Sequence, residues 1–384
     1  MDRLTNTNIP DDLILEILLR LPVKTLSQFK CVCKHWYALI HSRGFINQHF
    51  NHKSNQERLL IRNYRPDLER YSFSLYVDDI LSKYEEPNHL QIPFMASALM
   101  GPLNGVFCVV SLSAHLALLN PATRQFKPIP LPRPNVQTYL SLCDNSLGFG
   151  LNPLSSDYKV VSINYYWNEV VDSPHYPCLI SVYTSGSNTW RHFEDPGLVN
   201  SSGCSCRSLC NTYLNGFYYW VMDNETDAVI LAFDMISEKF RQIKVPDCIK
   251  SEEVDLALYR DSLALVTCES DKVDKCVDLW ALGNDGCWSK CLTMGPFQDI
   301  RWPLGFWKDG ELLLETEDSM LTVYNVYNRG LRNVEAQRKE NGFFIYWVYC
   351  YKESLVSIKG EGDRCKLWDI SSDFVKSFFD TSPC

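Results

Sequence analysis

Cysteine and histidine are the residue types in this sequence that could bind a metal or form a nucleophile and base pair. Sixteen cysteines and eight histidines occur among 384 residues. The cysteines cluster at Cys31-x-Cys33 and at Cys204-x-Cys206-x-x-x-Cys210. Neither cluster has the paired C-x-x-C spacing, or the histidine at a fixed interval, that a zinc site requires. We therefore predict no metal and interpret the cysteines as small core or loop residues.

The sequence also lacks the short motifs that build common catalytic sites. It contains no G-x-S-x-G nucleophile elbow, no G-x-x-x-x-G-K-[ST] phosphate loop and no G-x-G-x-x-G turn. Gly148 and Gly150 precede strand-like sequence, so no helix N-terminus follows them to bind a phosphate. We predict a protein that is not an enzyme, has no cofactor and acts by binding.

Two kinds of element would present binding residues, and the first is helical. Pro10 is suited to a first helical turn, and seven of the nine positions from 13 to 21 are apolar, which exceeds one buried stripe. Pro22 ends this helix. A second amphipathic stretch ends at Arg43-Gly44 and has apolar residues three or four apart: Leu26, Phe29, Cys33, Trp36 and Ile40. So small a unit should have its apolar surplus covered by another protein, or alternatively by the chain's second domain.

These residues resemble the F-box, in which a proline and a leucine-rich helix precede a second proline, a Cys-Val-Cys-Lys run and a tryptophan. The resemblance implies a three-helix F-box domain over residues 8–50. Such a domain docks on a Skp-type adaptor, which holds cullin and RING subunits. The positions carried over to the adaptor-binding face, or to the packing behind it, are Pro10, Leu13, Ile17, Leu18, Leu21, Pro22, Leu26, Val32, Cys33 and Trp36.

The remainder of the chain repeats one β-hairpin pattern. A large apolar residue is followed by a polar turn and by a second large residue 6 to 8 positions later, and the starts advance by 44 to 64 residues. The pairs are Tyr64 with Tyr71, Leu119 with Phe126, Tyr183 with Trp190, Phe233 with Phe240, Trp280 with Trp288, Tyr324 with Leu331 and Trp368 with Phe374.

This interval is close to that of a four-stranded propeller blade. We therefore predict an α+β multidomain chain, with the F-box followed by an all-β propeller of kelch-like type over residues 56–380. Six to seven blades are expected, with seven favoured and six possible if the first and last hairpins share one blade. A large β-sandwich is the alternative, although it would not require a constant interval.

This second region resembles the F-box-associated domain of plant F-box proteins. The recurring phrases include Leu119–Phe126, Leu147–Gly150 and Tyr158–Val161. Together with Phe45–His49, Gly101–Gly105 and Tyr351–Leu355 they resemble S-locus F-box proteins of self-incompatibility. That resemblance implies a substrate-recognition subunit of an SCF-type ubiquitin ligase in pollen, which binds non-self S-RNases for ubiquitination and degradation. Two alternatives stay open: a receptor for another plant target, in defence or hormone signalling, and a non-catalytic scaffold.

Charge is distributed unevenly along the chain. Residues 1–55 contain 7 Lys and Arg against 4 Asp and Glu, and the rest contains 30 against 42, so the two parts carry +3 and −12. The acidic part disfavours nucleic acid as a partner and favours a basic protein such as an S-RNase, unless the charge serves only solubility. The sequence has neither an 18-residue apolar run nor a secretory signal, so we expect no membrane partner and a cytoplasmic protein, with the nucleus as a second compartment.

The longest repeat interval, 64 residues from Leu119 to Tyr183, contains the candidate target-binding loops. One is the proline-rich stretch Pro128–Pro134, and the other is rich in aromatic and acidic residues. Insertions in repeat proteins commonly form the binding face. The predicted target-binding residues are Tyr165, Tyr166, Trp167, Glu169, Asp172 and His175. The alternative is that the aromatic residues pack on the neighbouring blade.

Overall fold

The structure is a computed structural model with side chains, and it describes most of the chain. Helices form the N-terminal part and strands form everything after it. The described residues are 9–65, 70–77, 82–83, 96–111, 114–137, 139–168, 178–194, 197, 211–223, 228–249, 254–268, 274–308, 310–318, 320–334 and 347–358.

The described N-terminal segment contains four helices where three were expected: α1 (Asp11–Leu19), α2 (Val23–Phe29), α3 (Lys34–His41) and α4 (Arg43–Asn51). The second predicted stretch is broken because Cys33 is extended, with φ −157°, and its Sγ accepts a hydrogen bond from the Trp36 N–H. Gly44 does not end a helix as predicted. The Ser42 hydroxyl accepts from the Phe45 N–H, and this cap starts α4 one residue before the glycine.

The helices share one core, which is completed by residues of the propeller. Leu18, Val23, Leu26 and Ile40 are at most 1% exposed in it. Leu355, which follows the last described strand, is buried among them. The F-box core therefore includes a residue from the C-terminal part of the described chain.

Six four-stranded antiparallel sheets form the described strand region. Each is given from its innermost strand outward. Blade 1 contains β24 (Trp347–Tyr351), β1 (Arg58–Arg65), β2 (Arg70–Val77) and β3 (Ser82–Lys83). Blade 2 contains β4 (Ala96–Leu103), β5 (Val106–Ser111), β6 (Leu116–Asn120) and β7 (Gln125–Pro128). Blade 3 contains β8 (Leu140–Leu151), β9 (Tyr158–Asn168), β10 (Cys178–Thr184) and β11 (Thr189–Glu194).

The other three blades repeat the arrangement. Blade 4 contains β12 (Tyr213–Leu214), β13 (Phe217–Asp223), β14 (Ala228–Asp234) and β15 (Phe240–Lys244). Blade 5 contains β16 (Val254–Tyr259), β17 (Ser262–Cys268), β18 (Lys275–Leu282) and β19 (Trp288–Phe297). Blade 6 contains β20 (Ile300–Trp307), β21 (Glu311–Thr316), β22 (Leu321–Tyr324) and β23 (Leu331–Asn333).

The sheets form a closed ring, and blade 1 is built from both ends of the strand region. Strand β24 pairs with β1, with Arg58 opposite Tyr351 and Arg62 opposite Trp347. Inner strands of successive blades adjoin, except that blade 4 contacts β8 and β16 through β13, and β24 adjoins both β20 and β4. The predicted propeller is confirmed, with six blades in the described chain. This is one blade fewer than the favoured number, and the seventh predicted hairpin lies outside the described residues.

The register of strand pairing confirms most of the predicted hairpin pairs. Five of the seven pairs are direct cross-strand partners: Tyr64 with Tyr71, Leu119 with Phe126, Tyr183 with Trp190, Phe233 with Phe240 and Tyr324 with Leu331. In blade 5 the partner of Trp288 is Leu282, because β18 continues two residues past Trp280. Trp368 and Phe374 lie outside the described residues.

Candidate adaptor-docking face and target-binding end

An exposed apolar stripe runs along α1 and its N-terminal approach. Ile9 lies just before the helix, and Leu13 and Ile17 follow one another on one side of it, four residues apart. They are 57%, 55% and 54% exposed. Asp11 and Asp12 in the first turn stabilise the positive end of this helix. The stripe has the form of a docking surface, since large aliphatic side chains repeat along it without cover from the chain's own core.

Some of the residues that were predicted to bind the adaptor lie behind this stripe and belong to the helical core. Leu18 and Leu26 are buried, so they support the face and do not form it. Leu21 is half-buried against the same core, and its carbonyl oxygen accepts from His49 Nε2 at 2.8 Å. A charge at Leu21 would therefore disturb the helical fold as well as a docking surface.

A second exposed region follows α2. Val32 is 61% exposed, and Tyr37 is 52% exposed and stacks on His41 with ring centroids 4.2 Å apart. Trp36 instead packs inward, with its ring 5.2 Å from that of Phe29.

The ten predicted adaptor-binding residues thus divide into three groups. Six are exposed, namely Pro10, Leu13, Ile17, Pro22, Val32 and Cys33; Leu21 and Trp36 are half-buried; Leu18 and Leu26 are buried. Ile9 and Tyr37 are further exposed apolar side chains that the prediction did not include. Nothing in the local pattern distinguished Tyr37 from its inward-facing neighbour.

The two ends of the propeller differ in what they contact. Arg43 and Asn47 of α4 share a cleft with Leu151, Tyr158 and Ser185 of blade 3. This end of blade 3 therefore faces the F-box. Strand β8 begins and β9 ends at the opposite end of the blade, where Leu140 pairs with Asn168. We call this opposite end the far end.

The predicted target-binding residues on β9 are only partly available at the far end. Tyr165 and Tyr166 are 2% and 7% exposed, and Tyr165 lies in the core between blades 3 and 4. The structure does not present these two side chains as contact residues, because β9 extends through both positions and both are buried. Trp167 is 36% exposed. Glu169, Asp172 and His175 lie outside the described residues.

Other exposed residues lie around Trp167. Leu142 is 55% exposed and Tyr139 is 40% exposed, both at the start of β8. Asp144 and Glu194 are exposed acids in the same half of the blade. Over the described positions 139–146, 163–168, 178–181 and 192–194, blade 3 contains no lysine or arginine. This half of the blade is apolar and acidic.

Within the described part of the chain, no group of three or more His, Cys, Asp or Glu side chains is placed to hold a metal ion. Cys204, Cys206 and Cys210 lie outside it. None of the described helices is long and apolar enough to cross a membrane.

Comparison with known proteins agrees with this architecture. The sequence profile of the F-box domain matches residues 7–48, and that of the F-box associated beta propeller domain matches residues 58–356. The chain belongs to the family of F-box proteins that carry this propeller domain. Proteins of this class are substrate adaptors of SCF ubiquitin ligases and are not themselves catalytic, and the F-box is the module that binds the Skp-type adaptor.

Relatives in Arabidopsis thaliana align along much of the chain. The F-box protein At5g62660 is 29% identical over 87% of this chain and 91% of its own length. The F-box protein CPR1 is 25% identical over 84% and 83%. The F-box protein At3g52320 is 29% identical over 62% of this chain, and the match spans 60% of that relative. Among solved structures, TolB from Acinetobacter baumannii aligns with a TM-score of 0.44 and 12% identity over 77% of this chain and 68% of TolB.

Proposed function

We propose that this protein is the substrate-recognition subunit of an SCF-type ubiquitin ligase. In this proposal the α1 stripe docks on a Skp-type adaptor, through which cullin and RING subunits are recruited. The observation that carries it is the exposure of Ile9, Leu13 and Ile17, each more than half exposed, on α1 and directly before it. A contiguous apolar surface of this kind is typical of a protein–protein interaction site.

The subunit contributes position, since ubiquitin transfer is the chemistry of the recruited conjugating enzyme. A receptor that binds both the ligase and a target turns a bimolecular encounter into an intramolecular one, and thereby raises the effective concentration of target lysines. The two candidate surfaces, the α1 stripe and the far end, would allow both partners to bind at once.

We further propose that the target is a basic protein, specifically a non-self S-RNase, and that recognition takes place in the cytoplasm of pollen, with the nucleus as a second compartment. Support comes from the −12 balance of residues 56–384 and from the sequence phrases that resemble S-locus F-box proteins. Trp167 and Leu142 would supply apolar contacts at the far end, and Asp144 and Glu194 would meet basic side chains.

Reconstitution with purified components tests the proposal in two steps. The full chain should co-elute with a Skp-type adaptor and a cullin. If the folded chain does not co-elute with them, its proposed role as a ligase subunit is rejected. The reconstituted ligase should then ubiquitinate a purified S-RNase and not an acidic ribonuclease of similar size. If neither ribonuclease is ubiquitinated, the S-RNase is rejected as the target, while the role of this chain as a ligase subunit still stands. If the chain binds the Skp-type adaptor but the half-life of the target in cells is unchanged, the scaffold function is favoured.

A further inference from the structure

A segment after the last described strand connects the F-box to the propeller. We call residues 352–358, which follow β24, the strap. On the F-box side, the Glu353 carboxylate accepts from the Val23 N–H at 3.4 Å and pairs with Arg58 Nη1 at 2.5 Å. The Glu353 carbonyl accepts from Asn55 Nδ2 at 2.8 Å. Leu355, 2% exposed, completes the helical core. The strap is therefore bound to α2 and to the linker that follows α4.

The strap is bound to blade 2 through Asn120, which is fully buried. Asn120 Nδ2 donates to the carbonyl oxygens of Ser354, at 3.1 Å, and Val356, at 2.7 Å. Its Oδ1 accepts from the backbone N–H groups of Ala122 and Thr123, which fixes the turn after β6. One amide side chain thus joins the turn to the strap.

Two further residues of blade 2 shape this attachment. Gln125 Oε1 accepts from the Ile358 N–H at 3.0 Å and from the Ser357 hydroxyl at 3.3 Å. Gly105 has φ +76°, and a Cβ there would lie 2.5 Å from the Cβ of Ser354. Only glycine allows the turn after β4 to adopt this conformation and the strap to pass so closely.

We propose that the strap is a positioning element that holds the F-box in one orientation on the propeller. Within the described residues, the continuous chain passes from the F-box helices to the strands through residues 52–57, and one short linker alone would leave a hinge. The strap makes a second, noncovalent crossing from the other end of the described chain, and it removes that hinge. Asn120 and Gln125 are positioning residues in this device.

The consequence rests on the proposed function. With the adaptor on α1 and a target at the far end, the orientation of the F-box sets where the conjugating enzyme lies relative to target lysines. A loosened joint would spread that distance over many values and lower the effective concentration of any one lysine at the thioester. The strap would therefore set which lysines are modified, without affecting either binding step.

Matched variants separate the strap from the rest of the fold. Gln125→Ala removes the one side-chain oxygen that accepts both hydrogen bonds from the strap, at a half-buried site, and Gln125→Glu keeps an acceptor oxygen as its control. Asn120→Asp removes the two donors to the strap and keeps the acceptors for the turn, although its buried carboxylate endangers folding. Gly105→Ala is a third, independent disruption. A retained melting temperature of the full chain and unchanged helical circular dichroism are required before a variant is compared.

The first measurement is the distance distribution between dyes at Gln48 on α4 and Lys239 on blade 4, introduced through non-natural amino acids in the full chain. Gln125→Ala and Asn120→Asp should broaden this distance distribution about twofold or more, and Gln125→Glu should match the wild type.

The second measurement is the pattern of lysines that become ubiquitinated on the propeller itself. The reaction contains a Skp-type adaptor, cullin, RING subunit and ubiquitin-loaded conjugating enzyme. The main wild-type site should lose about tenfold in rate and others should gain, at unchanged adaptor affinity.

Each outcome decides between the proposals. An unchanged dye distribution in Gln125→Ala and Gly105→Ala would overturn the strap as the element that holds orientation. A broadened distribution with an unchanged lysine pattern and rate would overturn its positioning role. Failure of the folded wild type to bind the adaptor would reject the proposed function, and the positioning role with it, while the dye measurement would still report the joint.

Discussion

At the scale of single residues, Leu13 is a position where a substitution should weaken adaptor binding without affecting the stability of the fold. Its side chain is 55% exposed, so an acid there would be solvated in the free protein and would meet an apolar partner only on docking. We expect Leu13→Asp to weaken adaptor binding by about 100-fold or more, in the range of interface hot spots, and to leave the melting temperature unchanged. Titration calorimetry with purified adaptor measures the affinity.

Leu154→Asp is the matched control for this prediction. Leu154 is 77% exposed in the turn between β8 and β9, outside the proposed docking face. The Leu154→Asp variant should bind the adaptor with the affinity of the wild type. Equal affinities for Leu13→Asp and Leu154→Asp would mean that the α1 stripe faces no adaptor.

We expect His49 to make the stability of the F-box sensitive to acid. Burial lowers its pKa below the ordinary 6.5, and the hydrogen bond to the Leu21 carbonyl and the charge of Glu353 only partly oppose this. Its Nδ1 is buried without a partner, so a proton there would have no acceptor. Because the folded pKa is depressed, the stability His49 contributes is present above about pH 6.5 and is lost as pH falls through the folded pKa.

We therefore expect His49→Gln, which keeps a donor for Leu21, to reduce the loss of helical stability between pH 7.5 and 5.5. Thermal melting followed by far-ultraviolet circular dichroism at both values measures the difference. His35→Gln, at an exposed position of α3, is the control and should retain the wild-type pH dependence. An unchanged dependence in His49→Gln would exclude this histidine as its source.

At the scale of elements, the break between α3 and α4 depends on one hydroxyl. Ser42 Oγ accepts from the Phe45 N–H at 3.2 Å and starts α4, whose Phe45 is 2% exposed. Ser42→Ala should destabilise the helical module by about 1 kcal/mol, the usual contribution of an N-cap. Ser42→Thr, which retains the acceptor, should lose much less. Urea unfolding followed by helical circular dichroism compares them, and equal losses would show that the cap is dispensable.

The sequence was informative about elements whose signal is local. A hairpin is defined by two strands and its turn, so spacing alone located partners such as Phe233 and Phe240. It was less informative where distant residues decide. Nothing near Tyr165 reveals that β9 continues through it to pair with Cys178 on β10. Likewise, the exposure of Leu13 and the burial of Leu18 depend on packing against α2–α4 and Leu355, which local periodicity does not contain.

At the scale of the whole molecule, ring closure and F-box docking use the same stretch of chain. Strand β24 closes the propeller, and the strap that follows it enters the helical core. Arg58 takes part in both, since it pairs with Tyr351 in the sheet and binds the Glu353 carboxylate. Opening of blade 1 would therefore withdraw Leu355 from the F-box, and we expect the two domains to unfold as one cooperative unit.

Tyr349 provides the test of this coupling. It is 5% exposed on β24, its hydroxyl donates to the Leu99 carbonyl at 3.2 Å, and its ring meets that of Phe107 edge-on. Tyr349→Ala should cost about 3–5 kcal/mol through the cavity, whereas Tyr349→Phe should cost about 1 kcal/mol through the lost hydrogen bond. In both variants, helical circular dichroism and tryptophan fluorescence should lose signal at the same urea concentration, because unfolding of blade 1 removes Leu355 from the helices. Separate transitions, with helices that outlast the propeller, would show that the F-box is stable without the strap.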